Sequence, residues 1–152
     1  AITHPFFELK GKARITVTNW ASTDDVSWDQ VVLASTAPET LTKATQKAFD
    51  NCLALKDLDI PQCGFSPIVM PGGAMPDPAT IQRVVTTGDW KDLQWLQPYG
   101  KPLEVQAESY LRIQTTIKDR AGKSHEFDDT IYGVSIDLTD PANIVITFGD
   151  LY

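Results

Sequence analysis

Between Leu103 and Lys118 apolar and polar positions alternate almost without a break. Leu103, Val105, Ala107, Leu111, Ile113 and Ile117 fall on one side at a period of two. Glu104, Gln106, Glu108, Arg112, Gln114 and Lys118 fall on the other. That is the pattern of a strand with one dry face and one wet face. The stretch from Asp119 to Lys123, with Gly122 free to take a positive φ, predicts a hairpin turn. His125 to Leu138 predicts the returning strand, Asp140 to Asn143 another turn, and Ile144 to Phe148 a third strand. Strands this long predict a bend at a bulge near Ser109 or Gly133.

Upstream the period changes. Leu41, Ala44, Ala48, Cys52 and Leu55 recur at spacings of three and four, which predicts an amphipathic helix. Its start is marked by Thr36, Pro38 and Glu39, a hydroxyl cap with a carboxylate three residues on. Before it, Arg14 to Trp20 alternates as a strand, Ala21 to Asp25 reads as a turn, and Val26 to Leu33 as a second strand. After it, Pro61, Pro67, Pro71, Pro76 and Pro78 with Gly64, Gly72 and Gly73 predict a long irregular loop over 61–79. Ile81 to Thr87 predicts a short strand and Leu93 to Leu96 a strand or a single turn. One main helix on a curved antiparallel sheet with a C-terminal three-stranded meander is an α+β arrangement. Cystatin-like and NTF2-like folds share that outline, an analogy of element order that carries no function.

The chain has 152 residues, of which 42% are hydrophobic. That predicts a single domain over 1–152, with 61–79 as an internal loop. Its 13 basic and 20 acidic residues leave a formal charge of −7. Such a charge opposes binding to nucleic acid and to anionic membrane surfaces. No apolar run approaches the roughly 20 residues that span a bilayer. The start at Ala1 lacks a basic segment and an apolar core, as expected of a mature form or an ectodomain.

Cys52 and Cys63 are the only cysteines. One ends the predicted helix and the other follows Pro61, so a helix that turns back on itself brings them together. A disulfide there would place the protein outside the cytoplasm; two buried free thiols are the alternative. Two ligands are too few for a metal centre, and neither His4 nor His125 is near in sequence.

Little else carries chemistry. His4 lies in a terminal segment expected to be mobile. His125 and Asp129 share a strand face and form the one acid–base candidate, yet no serine stands in a GxSxG context. Asp24, Asp25 and Asp29, and Asp137 with Asp140, are acidic turns without EF-hand spacing. Pro71 to Ala74 lacks the lysine and hydroxyl of a phosphate loop. No cofactor or metal is expected. Trp90, Trp95 and Tyr99 fall within ten residues beside proline and glycine, and Trp20 and Trp28 precede the helix. Such aromatics anchor a partner or cap the open end of a core.

The run Cys52, Leu53, Ala54, Leu55 through Ile60, Pro61, Cys63 and Phe65, followed by Leu93, Trp95, Leu96, Pro98 and Tyr99, resembles uncharacterised actinobacterial membrane-anchored or secreted ectodomains. The likeness spans roughly residues 44–118, with a cysteine-ended helix, a Pro-x-Cys-x-Phe turn and a Trp-x-Leu strand. It implies a tethered, extracytoplasmic, non-enzymatic domain and brings no catalytic residues. The expected function is therefore binding of a protein partner or a small apolar ligand at the cell envelope through the segment from Pro61 to Pro102. Trp90, Trp95 and Tyr99 are its contact residues. The alternatives are a small cone-shaped enzyme using His125 with Asp129, and a structural module of a larger envelope protein.

Overall fold

The computed structural model describes residues 4–9, 31–101 and 103–149. The predicted strand over 14–20, most of that over 26–33, and Trp20, Trp28, Asp24, Asp25, Asp29 and Pro102 lie outside them. In chain order the elements are β1 (Phe7–Leu9), β2 (Val31–Leu33), α1 (Ala37–Ala54), β3 (Pro76–Thr87), β4 (Glu104–Asp119), β5 (Ser124–Asp137) and β6 (Val145–Phe148). Strands β1 and β2 pair antiparallel. The other four form one antiparallel sheet in the order β3-β4-β5-β6. The helix packs on this curved sheet, so the fold is α+β. The meander gains β3 as a fourth strand, and β3 begins at Pro76, inside the stretch expected to be loop.

The alternation along β4 has its expected consequence. Val105, Ala107, Leu111, Ile113 and Ile117 are at most 1% exposed. The β4–β5 register slips between Glu108 and Leu111, opposite the step from Gly133 to Ile131. This is the bulge that the strand length required. Gly88 explains why β3 can approach that bulge. A Cβ there would stand 2.2 Å from the carbonyl oxygen of Tyr110, and its φ of +87° is one that L side chains rarely adopt.

The helix begins where expected, but not for the expected reason. Thr36 makes no side-chain cap, and Glu39 turns instead to Lys43 at 2.9 Å. Its buried face is Ala37, Leu41, Thr45, Phe49 and Cys52, while Leu55, an expected member of the stripe, is exposed. Thr45 is buried at no polar cost because its hydroxyl donates to the Leu41 carbonyl at 2.8 Å. Phe49 is the centre of the core. Its ring meets Trp90 at 5.1 Å and Phe148 at 5.0 Å, both edge to face, and Phe65 at 5.9 Å.

Two fastenings hold the helix end. Cys52 and Cys63 form a disulfide, 11 residues apart, which ties the last helical turn to the 3-10 turn Pro61–Cys63. Gly64 follows in the left-handed conformation (φ 75°) and lies against the Phe148 carbonyl. Arg83 of β3 donates to the carbonyls of Leu55 at 2.6 Å and Asp57 at 2.8 Å, and its guanidinium lies 5.0 Å from the centre of the Phe65 ring. The last turn of α1 has no basic residue of its own. Arg83 supplies from the sheet the positive charge that a helix C-terminus favours. Closing a loop of this size stabilises by about 3 kcal/mol through the unfolded chain. The double variant Cys52→Ser/Cys63→Ser is expected to lose about that much in urea unfolding, and the unreduced, denatured chain to show no alkylatable thiol.

Candidate functional site

The sequence candidates end up in three different places. Trp90 leaves the surface altogether. It follows Gly88, dips into the core and is 4% exposed, packed between Phe49 and Phe148. It caps the core and is not available as a contact residue. Trp95 is half-buried and donates its indole N–H to Thr42 Oγ1 of α1 at 3.1 Å. Tyr99 alone of the three stands wholly in solvent.

Around Tyr99 the chain is well held. Leu96 and Gln106 exchange two backbone hydrogen bonds of 2.8 Å, so residue 96 extends the β4 edge beyond β3. The Gln97 side chain donates to the Val31 carbonyl at 3.3 Å, and Lys101 N–H bonds the Pro98 carbonyl. On this fixed backbone the Leu96 side chain is 62% exposed. Periodicity does not predict that: a lone apolar residue in a loop reads as core until its pairing is known.

The acid–base candidate separates. His125 and Asp129 do lie on the helix-side face of β5, but they take different partners. Asp129 accepts the Ser66 N–H at 3.0 Å and so fastens the proline-rich loop to the sheet. His125 Nε2 bonds Asp119 Oδ2 at 2.9 Å. The other Asp119 oxygen accepts the N–H groups of Ala121 and Lys123 at 2.9 and 3.0 Å. His125, and then Lys123, hold the Asp119 carboxyl below the ordinary carboxylate range. Both oxygens of this carboxylate are bonded, and together they clamp the hairpin turn. A cavity of about 340 Å³ lies beside it, lined by Ala74, Met75, Asp119, Arg120 and Ala121.

His4 is the residue the sequence misplaced. Far from being a mobile end, it is 2% exposed. Its Nε2–H donates to the Leu138 carbonyl at 2.8 Å and its Nδ1 accepts the Phe6 N–H at 3.2 Å. Only the neutral ring satisfies both. Burial lowers its pKa from 6.5, and the Leu138 carbonyl opposes that in part.

Among the described residues no group of three or more His, Cys, Asp or Glu could hold a metal ion, and no helix is long and apolar enough to cross a membrane. The Pro71–Gly73 stretch is a 3-10 turn with no buried residue. Asp137 and Asp140 each accept a backbone N–H two residues on, as turn acids do. No family model, curated protein or solved structure matches the chain.

Two outcomes follow. Trp90→Ala should cost about 3–5 kcal/mol in chemical unfolding, as removal of a large core aromatic does. Unfolding also has a pH signature. The unfolded chain binds a proton at His4 that the folded chain refuses, so stability should fall as pH drops through 6.5. Histidine NMR titration should place the His4 midpoint below 6.5; a midpoint at or above that value contradicts the buried neutral ring.

Proposed function

We propose that this chain is a non-enzymatic, extracytoplasmic domain that binds a protein partner through the loop carrying Leu96 and Tyr99. The observation that carries the reading is the combination of exposure with rigidity. Leu96 is 62% exposed and Tyr99 fully so, yet the chain around them is fastened to β4 at Leu96, to Val31 through the Gln97 side chain and to α1 through Trp95. Large apolar side chains held out on an ordered loop lose little entropy on binding and gain buried area. Tyrosine is also a frequent interface anchor. The disulfide supports an oxidising compartment, and extracytoplasmic placement is the part of the proposal that rests on it.

A small apolar ligand is the second reading, favoured by the cavity beside Met75 and Ala121. The acid–base enzyme reading lacks the pair it named, because His125 bonds Asp119 while Asp129 accepts from Ser66.

A photo-crosslinking residue at Tyr99, in the protein expressed at its native location, should trap one protein partner. The same group at Lys47, exposed on α1, should trap none. Leu96→Ser should reduce the Tyr99 crosslink by about ten-fold while leaving the thermal midpoint unchanged. Equal trapping from both positions, or a crosslink indifferent to Leu96, overturns the assignment.

A further inference from the structure

The face of the sheet turned away from α1 carries two tyrosines at its centre. Tyr110 and Tyr132 are 54% and 52% exposed. Their rings meet edge to face, 5.9 Å between centroids at an interplanar angle of 62°. They sit at the bulge, where the β4–β5 register shifts and where Gly88 lies against the Tyr110 carbonyl. The edge-to-face contact orients both rings and leaves ring faces open to solvent.

The exposed charges on the same face are unequal. Glu126, Asp128 and Asp137 stand against Lys118 and against Arg112, which is two residues from Tyr110, while Glu108 is already engaged within the chain. The whole chain has the same sign, at −7. An aromatic centre within a negative field attracts cations. Guanidinium groups are favoured over ammonium because they are planar, weakly hydrated, stack on aromatic rings and bind carboxylates in two-pronged fashion. The same field opposes a second copy of this face, nucleic acid and anionic lipid.

We propose that this face docks an arginine-rich segment of a protein partner, with guanidinium groups stacked on Tyr110 and Tyr132 and others along the same segment paired with Asp128 and Glu126 further along β5. The inference rests on the reading of the chain as a binding domain and adds a second patch with its own partner chemistry. Leu96 links the two patches, since its pairing with Gln106 places it on the same side of the sheet.

Fluorescence anisotropy with labelled nona-arginine and nona-lysine at physiological ionic strength tests it on the full chain. The variant Tyr110→Ala/Tyr132→Ala should bind nona-arginine about ten-fold more weakly and nona-lysine within about two-fold of the parent. Tyr110→Phe/Tyr132→Phe should restore nona-arginine binding, since the ring faces remain. Both variants change exposed side chains, and unchanged near-ultraviolet dichroism outside the tyrosine band verifies the fold. Leu96→Ser/Tyr99→Ala should leave nona-arginine binding intact, so failure of the loop assignment and failure of this one are told apart. Equal binding by the parent and the alanine variant means charge attraction alone and overturns the proposal. So does perturbation of the two tyrosines by a neutral oligosaccharide such as cellohexaose with no response to nona-arginine, which would make the face a carbohydrate surface.

Discussion

The structure hangs on one aromatic contact set. Phe49 reaches from α1 to Phe65 in the proline-rich loop, Trp90 in the β3–β4 connection and Phe148 in the last strand. A single helix on a sheet is held through one buried face, so its position depends on such an anchor. With Phe49 in this position, the helix end lies over the 3-10 turn, where Cys52 bonds Cys63. Arg83 donates to the carbonyls of Leu55 and Asp57 at the same helix end. The loop that leaves the helix is irregular because proline denies it a ladder, but it is not loose. Asp129 accepts from Ser66, and Ile68 N–H bonds the Leu58 carbonyl. Lys56 also reaches the Ile81 carbonyl.

That arrangement moves the chemistry outward. Among the described residues, both histidines and Asp129 make contacts that hold the fold. His4 joins the N-terminal segment to Leu138, His125 joins the hairpin carboxylate, and Asp129 pins the loop. A buried polar group must be paired to avoid a desolvation penalty, and these are paired within the chain. The space under the helix is taken by Phe49, Trp90 and Phe148. Among the described residues, the large exposed side chains include Leu96 and Tyr99 on a held loop and Tyr110 and Tyr132 on the outer sheet face, which are the two surfaces proposed for binding. The net acidity that opposes nucleic acid is the same property on which the proposed cationic partner rests.

The meander and its inward residues were legible in the sequence because a strand's period of two fixes which side chains share a face. The bulge near Ser109 and Gly133 was legible because long strands must bend. The helix bounds were nearly so, but its buried face was not. Phe49 and Thr45 are inside and Leu55 is outside, since the angle at which a helix rests is set by the partner it rests on. The same holds for the site residues. Trp90, Trp95 and Tyr99 are equally aromatic and fall within ten residues, and nothing local separates a core plug from a half-buried strut and an exposed ring.

Local pattern by itself determined the element types, the dry face of the sheet and the pairing of Cys52 with Cys63 as the favoured arrangement. Each depends on a repeat or a spacing of a few residues. Only the tertiary structure decided that β3 joins the meander and that His4 is locked and neutral. It also decided that His125 faces Asp119 rather than Asp129, and that Leu96 is held in water. Those outcomes join residues far apart along the chain, such as His4 with Leu138 and Leu96 with Gln106. They turn on the direction in which an already folded neighbour presents a carbonyl or a ring, which no periodicity encodes.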